Sequence, residues 1–112
     1  MSILTCTFGP VDVEYDGGVL TPRPWTLVQS ARAAQRLARS PDGPLLEFHC
    51  GAGHIGQAAA AWSGRHLVQV DDDPRCCDWA ARNAQRRAAD RVRSCWARTD
   101  RGSTAARSFR RA

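Results

Sequence analysis

The chain has 112 residues with sixteen arginines, no lysine, eleven acids and a formal net charge of +5, which limits it to one small domain. No apolar run is long enough to span a bilayer, and no charged start leads into an apolar stretch, so neither a membrane span nor a secretory signal is expected and a cytoplasmic setting is the default. Five cysteines, odd in number and without CxxC spacing, argue against a disulfide framework or a zinc ribbon.

Val11-Asp12-Val13-Glu14-Tyr15 alternates apolar and polar residues and predicts a half-buried strand. Asp16-Gly17-Gly18 is a turn, and Val19-Leu20 is expected to be a short returning strand. Pro22 and Pro24 hold the next stretch extended. A helix is expected from Trp25 or Thr26 to about Arg39, with Leu27, Ala31, Ala34 and Ala38 as its apolar stripe. Ser40-Pro41-Asp42-Gly43-Pro44 ends it and leads into a parallel strand, Leu45 to Phe48. A glycine-rich turn follows, then a helix from about Ile55 to Trp62 closed by Ser63-Gly64. His66 to Val70 is the next strand and ends on Asp71. Acids and Pro74 start a third helix that runs to about Ala89, with Cys77, Ala81, Ala84 and Ala88 inward.

The core of this pattern is Leu45-Leu46-Glu47-Phe48-His49-Cys50-Gly51-Ala52-Gly53-His54-Ile55-Gly56 with Asp71 beyond it. Strand, glycine turn, helix, strand, acid is the layout of a nucleotide-binding βαβ unit. Glycines permit the tight turn and a close ligand approach. An acid after the second strand can accept hydrogen bonds from ribose hydroxyls. The literal Gly51-x-Gly53-x-x-Gly56 also fits a nicotinamide dinucleotide fingerprint, but the Glu47 carboxylate would repel a pyrophosphate and suits a ligand with a cationic group.

With the upstream Val19-Leu20-Thr21-Pro22-Arg23-Pro24-Trp25-Thr26, the chain resembles class I S-adenosylmethionine-dependent methyltransferases over roughly Tyr15 to Val92. The resemblance is to the branch containing the release-factor glutamine N5-methyltransferases. It implies an α/β fold: a Rossmann-like parallel sheet with flanking helices, of which only the N-terminal part is present. It implies S-adenosylmethionine as cofactor. Glu47 would lie by the methionine end, Gly51 and Gly53 would give the close backbone approach, and Asp71 would take the ribose hydroxyls. Arg23 and Thr26 would line the methionine side, and Asp72 the adenine or ribose edge. The acceptor would be a protein glutamine or an RNA base. The bland readings stand beside these: Glu47 as a strand-end acid, Arg23 as a surface arginine, and Trp25, Trp62 and Trp79 as packing residues.

The chain departs from the family in two places. His49 stands where methyltransferases carry glycine, and it reads as a substitution at a turn rather than a catalytic group. The family's Asn-Pro-Pro-Tyr or Asp-Pro-Pro-Tyr acceptor motif has no counterpart, since no Pro-Pro occurs in the sequence. No catalytic residue is therefore assigned. A fragment that binds S-adenosylmethionine without transfer is the second reading, and a nicotinamide dinucleotide-binding fragment the third. Cys50 and His54 lack a second ligand pair, so no metal site is expected.

Residues 1–90 carry nine arginines against ten acids, whereas residues 91–112 carry seven against Asp100 alone. The basic excess belongs to the tail. It could bind nucleic acid through counterion release, but a solvated tail is the favoured reading. The organisation expected is a strand and turn segment over 1–24, a partial cofactor-binding domain over 25–92, and an Arg-rich tail over 93–112 that is disordered or read out of frame. The tail shows no clear period and few large apolar residues.

Overall fold

A computed structural model describes residues 2–86 and the backbone of two further strands, Val92–Arg98 and Thr104–Ser108. The elements in chain order are β1 (Leu4–Phe8), β2 (Val11–Tyr15), a 3-10 turn (Pro24–Thr26), α1 (Leu27–Leu37), β3 (Leu45–Phe48), α2 (His54–Ser63), β4 (Leu67–Val70), α3 (Pro74–Arg86), β5 (Val92–Arg98) and β6 (Thr104–Ser108). The fold is mixed α/β. Strands β3, β4 and β5 are parallel neighbours, β6 joins β5 antiparallel, and β1 and β2 form a separate hairpin.

The hairpin turns on Gly9-Pro10, with Gly9 at φ 56, a left-handed conformation that glycine adopts without penalty. Strand β1 was absent from the sequence expectation because only Phe8 of its five residues is buried. Strand β2 is the alternating run the pattern predicts, and it buries Val11, Val13 and Tyr15. These residues pack with Phe8, Val19, Ala52 and Ala58 in the largest core cluster, which Leu27, Ile55 and Trp79 flank. Asn83 of α3 holds the hairpin in place. Its Oδ1 accepts the Glu14 N–H at 2.8 Å, and its Nδ2 donates to Glu14 O and Ala52 O at 2.9 Å each.

Val19-Leu20 is not a strand. Val19 is buried and its N–H donates to Asp16 O at 3.3 Å, while Leu20 faces solvent. The prolines at 22 and 24 supply no donors for a ladder. Helix α1 stops at Leu37, two residues before the expected end, and leaves Ala38 exposed. Its most buried residue is Ser30, whose hydroxyl donates to Ile55 O at 2.8 Å and fastens α1 to the start of α2. Helix α2 ends at Gly64, φ 75, whose N–H donates to Ala60 O at 2.9 Å. The inward face of α3 is Cys77, Ala80, Asn83 and Ala84; Ala81 is only half-buried, and Ala88 lies outside the described residues.

The sequence reading places the start of a third parallel strand at Arg91-Val92, and β5 begins at Val92, parallel to β4; the stretch that follows, through β6, shows no clear period. The pairing of β5 and β6 is made by backbone groups, and the free edge of β4 offers those groups whatever the side chains are. The side chains of residues 87–112, and with them the tail's role as a nucleic-acid surface, lie outside the described residues. No helix among the described residues is long and apolar enough to cross a membrane.

Arg65 closes the α1–β3 connection. One guanidinium nitrogen donates to Pro41 O and Gly43 O at 2.7 and 2.8 Å, and the other to Leu37 O and Ser40 O at 2.6 and 3.0 Å. The planar fork of arginine suits four carbonyls, and a lysine ammonium does not. Arg65→Ala should lower stability by about 1–2 kcal/mol in chemical denaturation, and Arg65→Lys should restore less than half of the loss.

Candidate functional site

The glycine turn connects the end of β3 to the start of α2. Three of its residues have positive φ: His49 at 56, Gly51 at 56 and Gly53 at 91. A side chain at such an angle costs about 1 kcal/mol, which His49 bears and the glycines avoid. At Gly51 a Cβ would point into open space. At Gly53 it would meet Ala80 Cα at 3.0 Å and Gln57 Nε2 at 2.6 Å. Gly51 therefore faces outward with an accessible backbone, whereas Gly53 is pressed against α3.

Asp71, at the end of β4, holds the turn from the neighbouring strand. It is 7% exposed. Its Oδ2 accepts the Gly51 N–H at 3.0 Å, and its Oδ1 accepts the Asp73 N–H at 2.9 Å. The Cys76 thiol also donates to Asp71. Burial first, then the nearby Asp71 and Asp73 charges, push that thiol up to about 12, so it stays protonated. A carboxylate has roughly four acceptor positions, so about one remains for a ligand while these three bonds persist.

Glu47 points to the helix side of β3. Its carboxyl accepts the Gly56 N–H in the first turn of α2 and the Gln69 Nε2 donor at 2.7 Å. A Cβ at Gly56 would fall on Glu47 Oε1, so any side chain there would have to displace the Glu47 carboxyl. Gln69 Nε2 also donates to Gly53 O at 3.1 Å, and its Oε1 accepts Gln57 Nε2 at 3.1 Å. Gln57 Nε2 continues to Ala80 O at 2.9 Å. A buried polar chain thus runs from β3 through β4 and α2 to α3. Glu47 also borders a cleft of about 390 Å³ among α1, β3 and α2, whose lining includes Gln29, Ala33, Leu46, Phe48, His49 and Ile55.

The structure gathers Glu47, Gly51, Gly53 and Asp71 around one turn. Arg23 and Thr26 lie at the 3-10 turn before α1. The Arg23 guanidinium sits 6.0 Å from the Trp25 ring, and Thr26 Oγ1 donates to Arg23 O at 2.7 Å. Asp72 is exposed beside Asp71. Sequence reasoning missed Gln57, Gln69, Asn83 and Cys76. The signal available was an amide at an inward position: Gln69 shares the face of Leu67, and Gln57 interrupts an alanine-rich helix. No group of metal-ligating side chains occurs among the described residues. Compared with protein-family models and with curated protein sequences, the chain matches none.

Two groups at the turn titrate in opposite senses. Burial, against the Gln69 and Gly56 hydrogen bonds, raises Glu47 from 4.5 to about 7. Burial lowers His54, whose ring packs edge-on to Phe8 at 4.7 Å and whose Nδ1 has no partner, from 6.5 to about 4. Glu47 binds a proton in the folded state that the unfolded chain has lost, so its contribution to stability falls as pH rises from about 4.5 to 7. His54 binds one in the unfolded state only, so its contribution is complete above 6.5 and is lost as pH falls toward 4. Between about 4.5 and 6.5 the two cancel. The wild type should show nearly flat stability there. Glu47→Gln should show stability rising with pH and His54→Phe stability falling, each by at most ~1.4 kcal/mol per pH unit. Slopes of the same sign in both variants would contradict this assignment.

The packing around the turn makes a second forecast. Gly51→Ala should cost about 1 kcal/mol in chemical denaturation, the φ penalty alone. Gly53→Ala should cost at least about twice that, because a close backbone contact is added to the φ penalty. Equal losses would contradict the geometry.

Proposed function

We propose that the chain is the cofactor-binding part of an S-adenosylmethionine-dependent methyltransferase with a Rossmann-like sheet. The observation that carries this reading is the positive-φ turn between β3 and α2, tied by Asp71 from the end of the parallel neighbour β4. Ligands of open parallel sheets bind outside the carboxyl ends of the strands, where this turn lies. Gly51 would face the ligand with its bare backbone. Asp71 would offer its remaining acceptor position to a ribose hydroxyl, and a second hydroxyl bond would require release of the Cys76 thiol.

Glu47 favours S-adenosylmethionine over a dinucleotide. The N–H of Gly56 in the first turn of α2 is already satisfied by the Glu47 carboxyl, and a pyrophosphate would have to displace it. An amino group near Glu47 would instead draw the carboxyl into its charged form. Methyl transfer is an in-line displacement, so these residues would serve by positioning the donor and excluding water. A protein glutamine or an RNA base as acceptor rests on the resemblance alone.

Calorimetric titration with S-adenosylmethionine, with NADH as the control, tests the reading. Saturable binding of S-adenosylmethionine alone is expected. Its affinity should rise as pH increases through about 7, with proton release below that pH, because the ligand's ammonium favours ionised Glu47. A folded sample that binds neither ligand, or NADH alone, would overturn it.

A further inference from the structure

Two thiols meet beneath the glycine turn. Cys50 is the residue before Gly51, and its N–H donates to Val70 O at 3.2 Å. Cys77 stands in the first turn of α3, and its N–H donates to Asp73 O at 3.2 Å. The Cys77 thiol donates to Asp71 O at 3.6 Å, and the Cys50 thiol to Gly51 O at 3.8 Å. The two residues therefore bond to consecutive carbonyls at the end of β4. With Ala80 they form a small buried cluster of their own, apart from the hairpin core. Cys50 is 2% exposed and Cys77 0%.

A disulfide needs Cα atoms about 4.4–6.8 Å apart and side chains that face each other. Backbones each one hydrogen bond from the end of β4, with side chains in one cluster, fit that reach. The other described cysteines are placed differently. Cys6 lies on β1 and packs against the hairpin core. Cys76 is turned to the Asp71 carboxylate, which keeps its thiol protonated and a poor nucleophile. An odd cysteine count argues against a structural framework, but it accommodates one pair that opens and closes.

We propose that Cys50 and Cys77 are a redox pair whose disulfide locks the glycine turn to the first turn of α3. The oxidant is a low-molecular-weight disulfide such as glutathione disulfide. The Cys50 thiolate attacks one of its sulfurs, forms a mixed disulfide and releases one small thiolate. The Cys77 thiolate then attacks the Cys50 sulfur and releases the second. Two protein thiols are oxidised, one small disulfide is reduced to two thiols, and the two protein protons pass to them. Cys50 reacts first because it lies on the turn, whose outer side is open at Gly51. Burial keeps the exchange slow until the turn opens, and the strained φ of 56 at the adjacent His49 lowers the cost of that opening. The bond removes both thiol donors and holds the turn in place of two weak hydrogen bonds. The proposal concerns the turn itself and holds whatever ligand the turn takes.

The test is equilibration of the folded chain in a series of glutathione–glutathione disulfide buffers. Acid quenching, alkylation with iodoacetamide and mass spectrometry of the unreduced tryptic digest follow. The expected product is one bond between Cys50 and Cys77 that dithiothreitol reverses, with the melting temperature raised by at least about 5 °C in the oxidised form. Cleavage at arginine leaves Cys76 and Cys77 on one peptide. Cys76→Ala should therefore keep the bond, and Cys77→Ala should abolish it. Fragmentation of the wild-type peptide makes the same distinction if either variant misfolds. A folded wild type whose Cys50 and Cys77 are both alkylated across the whole series would overturn the proposal. So would a bond from Cys50 to Cys76, a bond that forms only in urea, or an oxidised form with an unchanged melting temperature.

Discussion

The carboxylate of Asp71 is the constraint on which the site depends. It takes the Gly51 N–H with one oxygen and the Asp73 N–H with the other. One side chain thereby fixes the turn after β3 and the start of α3. Asp73 in turn accepts the Arg75 N–H at 2.9 Å, and Pro74 stands in the first turn of α3, where it suits a helix start. The strained left-handed positions at His49, Gly51 and Gly53 persist because the turn is held from outside. A turn clamped in this way presents its backbone in one conformation, which is the preorganisation a small-ligand site requires.

The second constraint is the buried chain from Glu47 through Gln69 and Gln57 to Ala80 O. Gln57 and Gln69 are almost fully buried, at 1% and 0% exposure. An amide buried without partners would cost about 1–3 kcal/mol, and here each finds its bonds. The chain fixes the register of β4 against β3 and the seat of α2 on both, because shifting any member would strand its neighbours. Gly53 and Gly56 are drawn into the same arrangement. Gly53 supplies a carbonyl to Gln69, and Gly56 leaves room for the Glu47 carboxyl. The glycine spacing thus serves the protein's own packing as well as any ligand.

The βαβ centre of the fold was legible because several signals agree there. The strand Leu45–Phe48 has the limits that its apolar run and flanking Pro44 and His49 suggest, and Gly64 ends α2 in the left-handed conformation that its position predicts. That Glu47, Gly51, Gly53 and Asp71 share one turn could also be read from their spacing. What these residues do for one another could not. Hydrogen bonds such as Gly51 to Asp71, twenty positions apart, depend on the parallel register of β3 and β4. Strand β1 was missed and Val19-Leu20 was read as a strand for a related reason: hydrophobic pattern reports burial, and here pairing and burial diverge. The start of β5 was legible at Arg91-Val92, but its continuation and β6 carry the same lesson, since backbone pairing proceeds there without a periodic side-chain signal.

The account's central claim is that the Asp71-clamped turn is a ligand site rather than a structural corner. Titration of the ¹⁵N-labelled protein with S-adenosylmethionine, followed through the backbone amides, tests it most directly. The account predicts saturable shifts centred on Gly51, Gly53, Asp71 and Asp73, with the Gly56 amide following as the Glu47 carboxyl changes charge. Unmoved amides at the turn, or shifts confined to residues distant from it, would contradict the claim and leave the glycine motif with a packing role alone.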